Sequence, residues 1–306
     1  MFTHLHWHSQ YSLLEAIGST KGILARLKEI GSATAPLMDY NGMYNAINHF
    51  QLCKKEGLKP IIWVELGVQV TTQGKSMSRT RFVTFVAKNY DGYLSLLDIV
   101  SRAHTSNKNW YPHLQLSYFP ETAWNIIAYI HGYESPFGDM IQAWRTLDDI
   151  THTILSYEEV LGKWNIILEV IPQDPKENPL LAQANRVLRQ IHENTWLPII
   201  CASNFHYILQ EDQEAYDIAR CIKDGKRVYD EDRRKTQGEF SIMSEEDIRT
   251  ACEKNGFVES QIDEMVATTE KVADMIDIQI PLWNILFPEY DSPEDIKELY
   301  AKFQSL

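Results

Sequence analysis

Apolar, strand-like segments alternate with amphipathic, helix-like segments over about the first 210 residues. The strand-like segments are rich in β-branched residues and span 59–70, 81–89, 125–130, 164–171 and 197–204. The helix-like segments, several of which end at Gly or Asn, span 21–31, 46–57, 93–104 and 178–194. Repeated strand–helix units predict an α/β fold with a parallel sheet, and this many units favour a barrel. In such barrels, functional side chains collect at the carboxyl ends of the strands.

Charged helical segments replace this alternation after residue 210. They span 211–226, 244–256 and 259–277, and we interpret them as a helical subregion, about 210–280, that packs on the barrel. We therefore expect one domain over residues 1–280. Residues 281–306 contain prolines and then a short helical segment, which is typical of a linker and the start of a following region.

The composition, 44% hydrophobic and 23% charged among 306 residues, allows a large buried core. The sequence lacks a run of about 18 apolar residues, and MFTHLHWHSQYS lacks the basic and apolar regions of a signal peptide. We therefore expect a cytoplasmic protein without membrane association. The cysteines have no CxxC spacing, so we expect reduced, buried thiols at Cys53, Cys201, Cys221 and Cys252.

The formal net charge of −13 argues against a domain that grips nucleic acid by itself, because such domains usually carry a basic face that neutralises phosphates. One basic cluster is a candidate exception and consists of Lys226, Arg227, Arg233, Arg234 and Lys235. In an acidic chain, such a cluster is more often a solvated surface. We therefore expect weak DNA binding by this chain alone.

Histidines alternate at the start of the chain, in the motif His4-Leu5-His6-Trp7-His8-Ser9. Alternate residues of an extended strand project to one face, so His6 and His8 can converge on one metal ion. An isolated HxH pair is also common by chance or on a surface. The spacing alone therefore does not establish a metal site.

Four further segments follow in order: YSLLEA, PLMDYNGMYNAINHFQLCKKEGLKPIIWVEL, FVAKNYDGYLSLLDIVS and ICASNFHYILQEDQEAYDIARCIKDGK. Together with HLHWHS they resemble the PHP (polymerase and histidinol phosphatase) domain of bacterial DNA polymerase III alpha subunits, over about residues 2–290. Stand-alone PHP phosphoesterases share the HxH pair, but KKEGLKPII and CIKDGK are expected in the polymerase subunits. The resemblance implies an irregular (β/α)7-type PHP barrel with an added C-terminal helical subregion, and it makes residues 281–306 a linker to the following polymerase region.

In the resembled family, ligands at several strand ends hold up to three divalent ions that activate water for phosphoester hydrolysis. The resemblance places metal ligands at His6, His8, Glu15, Glu65 and His206. Other positions depart from the pattern: Tyr40 and Phe82 fall where the family has His, Gly132 falls at or near a Cys, and Asn204 replaces an Asp. His131 could substitute beside Gly132.

These departures predict a degenerate metal site. His6, His8 and Glu65, with Asn204 as a poor fourth ligand, form an acceptable set for one zinc or manganese ion, weakly held. Two interpretations remain open, namely one bound ion, or a remnant polar cluster held by hydrogen bonds.

Four tryptophans fall where the family pattern has glycine: Trp63, Trp124, Trp196 and Trp283. The largest side chain at glycine positions should strain turns or overpack the core. Our hypothesis is that the gene uses UGA as a glycine codon and that the translation has read it as tryptophan.

The resemblance implies the N-terminal PHP domain of a replicative DNA polymerase, acting in DNA replication as a scaffold and docking domain. Its implied partners are the rest of the polymerase polypeptide, a proofreading exonuclease subunit, other replisome subunits, and primed DNA reached through the full polymerase. The parent polypeptide would be a DNA-directed DNA polymerase, a nucleotidyltransferase, whose palm is absent from this chain. Whether this chain alone is an enzyme stays open. The alternative is a metal-dependent phosphoesterase, either a 3′–5′ proofreading exonuclease or a small-phosphate hydrolase.

Overall fold

Strands and helices alternate along the chain as the sequence pattern predicts. A computed structural model describes residues 2–68, 71–72, 75–76, 81–105, 112, 114–115, 118–282 and 294–304. Its strands are β1 (Thr34–Leu37), β2 (Lys59–Val68), β3 (Thr71–Thr72), β4 (Lys75–Ser76), β5 (Arg81–Ala87), β6 (Ile126–His131), β7 (Ile166–Val170) and β8 (Ile199–Cys201).

The described α-helices follow the predicted helical segments and add two, α4 and α5, that the sequence pattern did not single out. They are α1 (Thr20–Glu29), α2 (Ala46–Glu56), α3 (Tyr90–Thr105), α4 (Pro136–Gln142), α5 (Leu147–Leu161), α6 (Pro179–Thr195), α7 (Gln213–Asp224), α8 (Glu245–Lys254), α9 (Glu259–Asp274) and α10 (Glu294–Gln304). Capping boxes at Thr146 and Ser244 start α5 and α8 by satisfying free backbone N–H groups. Within the described helices, none is both long and apolar enough to cross a membrane.

Six strands form one sheet in the order β1-β2-β5-β6-β7-β8, and β3 and β4 form a separate pair. The pairs β1–β2, β6–β7 and β7–β8 are parallel. The strands are apolar on nearly every residue because helices cover the outer face while side chains fill the interior. The predicted barrel-type α/β fold is confirmed in this curled, mixed sheet.

The N-terminal segment closes the sheet between its first and last strands. The N–H of His8 donates to the carbonyl of Phe205 (3.1 Å), and the N–H of Met38 donates to the carbonyl of Trp7 (3.0 Å). Both bridges are parallel. The segment therefore takes the seventh strand position, between the end of β1 and the residues that follow β8, through isolated bridges rather than a full ladder.

One strand differs from the parallel sheet that the strand–helix repeat predicts. β5 pairs antiparallel with both β2 and β6. The link from β2 to β5 contains no helix among its described residues, and a parallel connection needs a long crossover, usually helical. As a result, the first residues of β5, including Phe82 and Thr84, face the same barrel mouth as the carboxyl ends of the parallel strands.

Helices α7 to α9 form the subregion expected after residue 210. The N–H of Phe2 donates to Glu245 (2.7 Å) and the N–H of Thr3 donates to Thr269 (3.1 Å), which fastens the chain start to α8 and α9. These contacts lie at the opposite end of the N-terminal segment from its bridges to Met38 and Phe205. The domain boundary near residue 280 stays a prediction.

His49 of α2 lies fully buried against β1, with its Nε2 2.9 Å from the carbonyl oxygen of Ala35. Burial lowers the pKa of His49 to about 4. Between about pH 6.5 and pH 4 the unfolded chain therefore binds a proton on this residue that the folded chain does not. Stability due to this group is complete above the unfolded pKa and declines as the pH falls towards 4.

We predict that His49→Gln reduces the slope of unfolding free energy against pH by up to about 1.4 kcal/mol per pH unit in this window. Urea denaturation across the window measures the slope. His152→Gln, at an exposed position of α5, is the matched control and should leave it unchanged. Equal slopes in all three proteins would contradict the prediction.

Candidate metal centre

Polar side chains collect at one mouth of the barrel because several strands end there. Glu65 lies near the end of β2, His131 ends β6, and Glu169 lies one residue before the end of β7. The N-terminal segment adds His6 and His8. All five side chains are buried, so each polar atom needs a partner other than bulk water.

His6, His8 and Glu65 form the tightest group. Each offers a ligand atom, and these atoms all lie within 4.8 Å of one another. His6 and His8 face the same side because they are two residues apart on an extended segment, while Trp7 between them points into the core. The Nε2 of His8 lies 3.3 Å from Oε2 of Glu65. Two imidazoles and one carboxylate make a ligand set that suits zinc.

Glu169 contacts the His6 ring at Nδ1. Its Oε2 lies 2.8 Å from Nδ1 of His6, and neither side chain is exposed. A proton on Nδ1 shared with a carboxylate leaves Nε2 free as a lone-pair donor, an arrangement common around protein-bound metals. The sequence prediction missed Glu169; the available signal was one acidic residue inside the apolar segment 164–171.

Near the end of β6, His131 rather than Gly132 brings a polar side-chain atom close to Glu65. The Nε2 of His131 lies 3.6 Å from Oε1 of Glu65. Burial would lower the pKa of His131, but the nearby carboxylates of Glu65 and Glu169 outweigh it and raise the pKa. A Cβ at Gly132 would meet the Cβ of Ala184 at 2.3 Å. The glycine therefore permits close packing of α6 and has no room for a ligand.

His206 approaches the group from the residues after β8. Its ring stacks on His8 with centroids 4.4 Å apart, and its Nδ1 donates to the backbone carbonyl of Glu15 (2.7 Å). Burial lowers the pKa of His206 to about 4, so the ring is neutral near pH 7 and Nε2 is free. His6 and His206 both contact His8, so the HxH motif and the last histidine meet at one rim as expected.

Glu15 is engaged elsewhere. Its Oε1 lies 2.6 Å from Nζ of Lys223 and 3.1 Å from Nη2 of Arg234. Burial would raise the pKa of Glu15, but these two cations outweigh it and lower the pKa. The group of three ligands among the described residues does not include it. Its role as a ligand stays a prediction that would require these ion pairs to break.

The residues at the mouth fit a single divalent ion. Several buried atoms there have no hydrogen-bond partner among the described residues: Nε2 of His6, both ring nitrogens of His8, Oε2 of Glu65, Oδ1 of Asn204 and Nε2 of His206. Buried acceptors without partners are costly. One cation between His6, His8 and Glu65 would satisfy three residues at once.

A sequence profile of the PHP domain matches residues 4–173 of this chain. The chain belongs to the PHP domain family. The match covers the HxH motif, Glu65, His131 and Glu169, so the family region contains the group described above.

Curated relatives of this PHP chain are DNA polymerase III alpha subunits. The chain is 27% identical over 293 residues to the subunit of Helicobacter pylori strain J99, which aligns 92% of this chain with 23% of the relative. It is 27% identical over 304 residues to the subunit of Borreliella burgdorferi, which aligns 97% of this chain with 26% of the relative. The chain spans about a quarter of the length of these relatives.

Solved structures show a more distant likeness. An amidohydrolase from Chromobacterium violaceum has a TM-score of 0.45 at 12% identity, with 68% of this chain and 88% of the other covered. A proposed metal-dependent phosphoesterase from Bifidobacterium adolescentis has a TM-score of 0.34 at 9% identity, with 82% of this chain and 95% of the other covered.

Aromatic rings occupy two positions where the resembled PHP pattern has histidine. The ring of Tyr40 stacks on His8 at 4.3 Å, and the ring of Phe82 lies 4.9 Å from that of Tyr40. Burial, reinforced by the charge of Glu65, raises the pKa of Tyr40 well above its usual value, so the phenol stays neutral. Phe82 has no donor atom. These two side chains fill space without offering a ligand.

Acidic partners neutralise much of the basic cluster of residues 226–235. Lys226 forms an ion pair with Asp232, Arg233 with Asp217, and Arg234 with both Asp224 and Glu15. Cations already paired with carboxylates gain less from phosphates. The arrangement favours the solvated-surface interpretation.

We predict that Glu169→Gln weakens zinc binding about 10- to 100-fold, because the neutral amide no longer raises the basicity of His6 through Nδ1. A chelator-competition titration measures the dissociation constant, and thermal unfolding of the metal-free chain checks that the fold is intact. Glu177→Gln, an exposed neighbour in the chain, is the matched control. Unchanged zinc affinity in Glu169→Gln would contradict a positioning role.

Proposed function

We propose that this chain is the PHP domain of a replicative DNA polymerase III alpha polypeptide and serves as a structural and docking domain. Its metal centre is reduced to one ion of zinc or manganese, held weakly. The observation that carries this proposal is that ligand atoms are present at one part of the barrel mouth and missing at another. One group of three ligands is intact, whereas aromatic rings stand at two other ligand positions.

His6, His8 and Glu65 would hold the ion through Nε2 of His6, a ring nitrogen of His8 and a carboxylate oxygen. Glu169 fixes the tautomer of His6, and the free Oδ1 of Asn204 is a weak fourth donor. A divalent ion in such a set supplies Lewis-acid activation of a water or an oxygen. Burial lowers the pKa of His8 well below its usual value, so its ring is neutral near pH 7 and can donate a lone pair to the ion.

Phosphodiester hydrolysis by a metal cluster usually needs a second ion, which stabilises the leaving oxygen. Tyr40 and Phe82 fill that part of the mouth, and Glu15 is neutralised by Lys223 and Arg234. A single remaining ion supports a structural role better than a nuclease role.

The polymerase context rests on the relatives. They are DNA polymerase III alpha subunits, of which this chain matches about a quarter. The proposed parent is therefore a DNA-directed DNA polymerase, a nucleotidyltransferase, in the cytoplasm. Its proposed partners are the rest of that polypeptide, a proofreading exonuclease subunit and other replisome subunits, with primed DNA bound through the full polymerase.

A metal-dependent phosphoesterase is the second candidate. The observation in its favour is His206, whose free Nε2 lies on a ring stacked against His8 at 4.4 Å. A second ion between His206 and a released Glu15 would restore part of a hydrolytic cluster. The number of bound ions separates the two candidates.

We predict low metal occupancy, with at most about one zinc or manganese ion per chain, and loss of that ion in His6→Ala or His8→Ala because the chelating pair is halved. Asn204→Asp should tighten binding, since a charged oxygen replaces a neutral amide. Elemental analysis after dialysis measures the stoichiometry, with the exposed His152→Ala as control. Two or more retained ions would overturn the single-ion proposal.

We also predict no 3′–5′ exonuclease or phosphatase activity with manganese or zinc, because the described residues contain one intact ion-binding group and hydrolysis usually needs a second ion. Gel analysis of a labelled primer and release of inorganic phosphate from small phosphomonoesters measure the two activities. Processive, metal-dependent trimming that His8→Ala abolishes would establish the phosphoesterase instead. A trace activity that His8→Ala leaves unchanged would identify a contaminating nuclease.

A further inference from the structure

Tryptophans occupy backbone conformations that normally require glycine. Within the described ranges, the non-glycine residues with positive φ are Leu14, Asn41, Glu134, Trp144, Trp164, Trp196 and Asn204. Asparagine tolerates this left-handed region, but a bulky residue there is an outlier. Three of these seven residues are tryptophan, although the whole chain contains only 8 tryptophans among 306 residues.

Trp144 ends α4 with a hydrogen-bond pattern that belongs to glycine. The N–H of Arg145 donates to Met140 (3.1 Å), the N–H of Trp144 donates to Ile141 (3.1 Å), and φ of Trp144 is +55°. These two bonds define a Schellman motif, in which the left-handed residue is usually glycine.

Other helices of the same chain show what that position normally holds. At the end of α2, the N–H of Leu58 donates to Cys53 (2.9 Å) and the N–H of Gly57 donates to Lys54 (3.4 Å). The same pair of bonds ends α1, α7 and α8, again with a positive-φ glycine: Gly31, Gly225 and Gly256. Trp144 stands where four other helices of this protein place glycine.

Trp196 and Trp164 are in two further glycine positions. Trp196 caps α6 with φ +61°, and its N–H donates to the carbonyl of His192 (2.8 Å), the single bond of a left-handed helix cap. Trp164 is the third residue of a turn that the bond from Asn165 N–H to Gly162 carbonyl closes (3.3 Å), with φ +71°. Lys163, the second residue, is not among the positive-φ residues, so the turn is of the type that calls for glycine third.

Burial does not account for these three indoles. The residues are 85%, 53% and 77% exposed at 144, 164 and 196, so most of each ring contributes little to the core. Trp7, by contrast, is fully buried and lacks a positive φ. The path of the backbone therefore sets the positive φ of the three exposed tryptophans. Each side chain disfavours that φ, and its ring gains little burial in return.

We infer that the natural polypeptide carries glycine at 144, 164 and 196, and that its gene uses UGA as a glycine codon. The family pattern singles out Trp196 independently, whereas the backbone alone identifies Trp144 and Trp164. Trp63 and Trp124 have no positive φ, so their assignment to glycine rests on the family pattern. Trp283 lies outside the described residues.

The coding sequence and the native protein test the inference directly. We expect UGA at codons 144, 164 and 196, and peptide masses from the source cell that correspond to glycine at each position. UGG at these codons, or tryptophan in the native peptides, would overturn it.

Variants of the tryptophan-containing chain test separately whether these three side chains strain the backbone. Trp144→Gly, Trp164→Gly and Trp196→Gly should each raise the midpoint of thermal unfolding, by about 1–3 °C. Alanine at the same sites should raise it less, because alanine keeps the Cβ that disfavours positive φ.

The neighbouring Ala143 provides a matched control. It is exposed and has φ −79°, so Ala143→Gly should lower the midpoint or leave it unchanged. Trp7→Gly should lower the midpoint strongly, because it empties a core position. If glycine at 144, 164 and 196 is no better than alanine, the backbone argument fails.

Discussion

Backbone pairing of the N-terminal segment with the residues that follow β1 and β8 is the interaction on which the rest of the structure depends. The bonds of His8 with Phe205 and of Met38 with Trp7 close the sheet. The same bonds fix which side chains of the segment point inward to the mouth, because neighbouring residues of an extended chain face opposite sides. The same hydrogen bonds therefore close the barrel and direct His6 and His8 into its mouth.

The buried carboxylates at the closed mouth favour a bound cation. Glu65 and Glu169 are buried carboxylates, and burial keeps neighbouring imidazoles such as His206 neutral. Buried charge without a partner is costly. Nearby imidazoles stabilise both carboxylates in part, because Glu169 contacts His6 and Glu65 lies close to His131. A divalent ion at His6, His8 and Glu65 would balance the remaining charge.

Aromatic substitution explains how such a site can lose ions without losing its fold. Tyr40 stacks on His8, and Phe82 packs against Tyr40 at a tilt, so the volume stays filled and packed without ligand atoms at these positions. Glu15 likewise stabilises the chain through Lys223 and Arg234. These contacts keep the PHP-family barrel packed, which supports the proposed docking role over hydrolysis by several ions.

Local pattern by itself determined most of the strand and helix segments, though not β1, α4 or α5. It also determined the alternation that places His6 and His8 on one face, and the family to which the chain belongs. Periods of 2 and 3.6 residues are encoded by near neighbours, so they can be recognised without the fold. Tertiary structure alone decided the direction of β5, the choice of His131 over Gly132, and the contact of His6 with Glu169 across 163 residues of sequence. It also decided that Glu15 faces Lys223 and that Trp144 and Trp164 need left-handed backbone. Such contacts and dihedral angles depend on how the whole barrel closes, which neighbours in sequence do not specify.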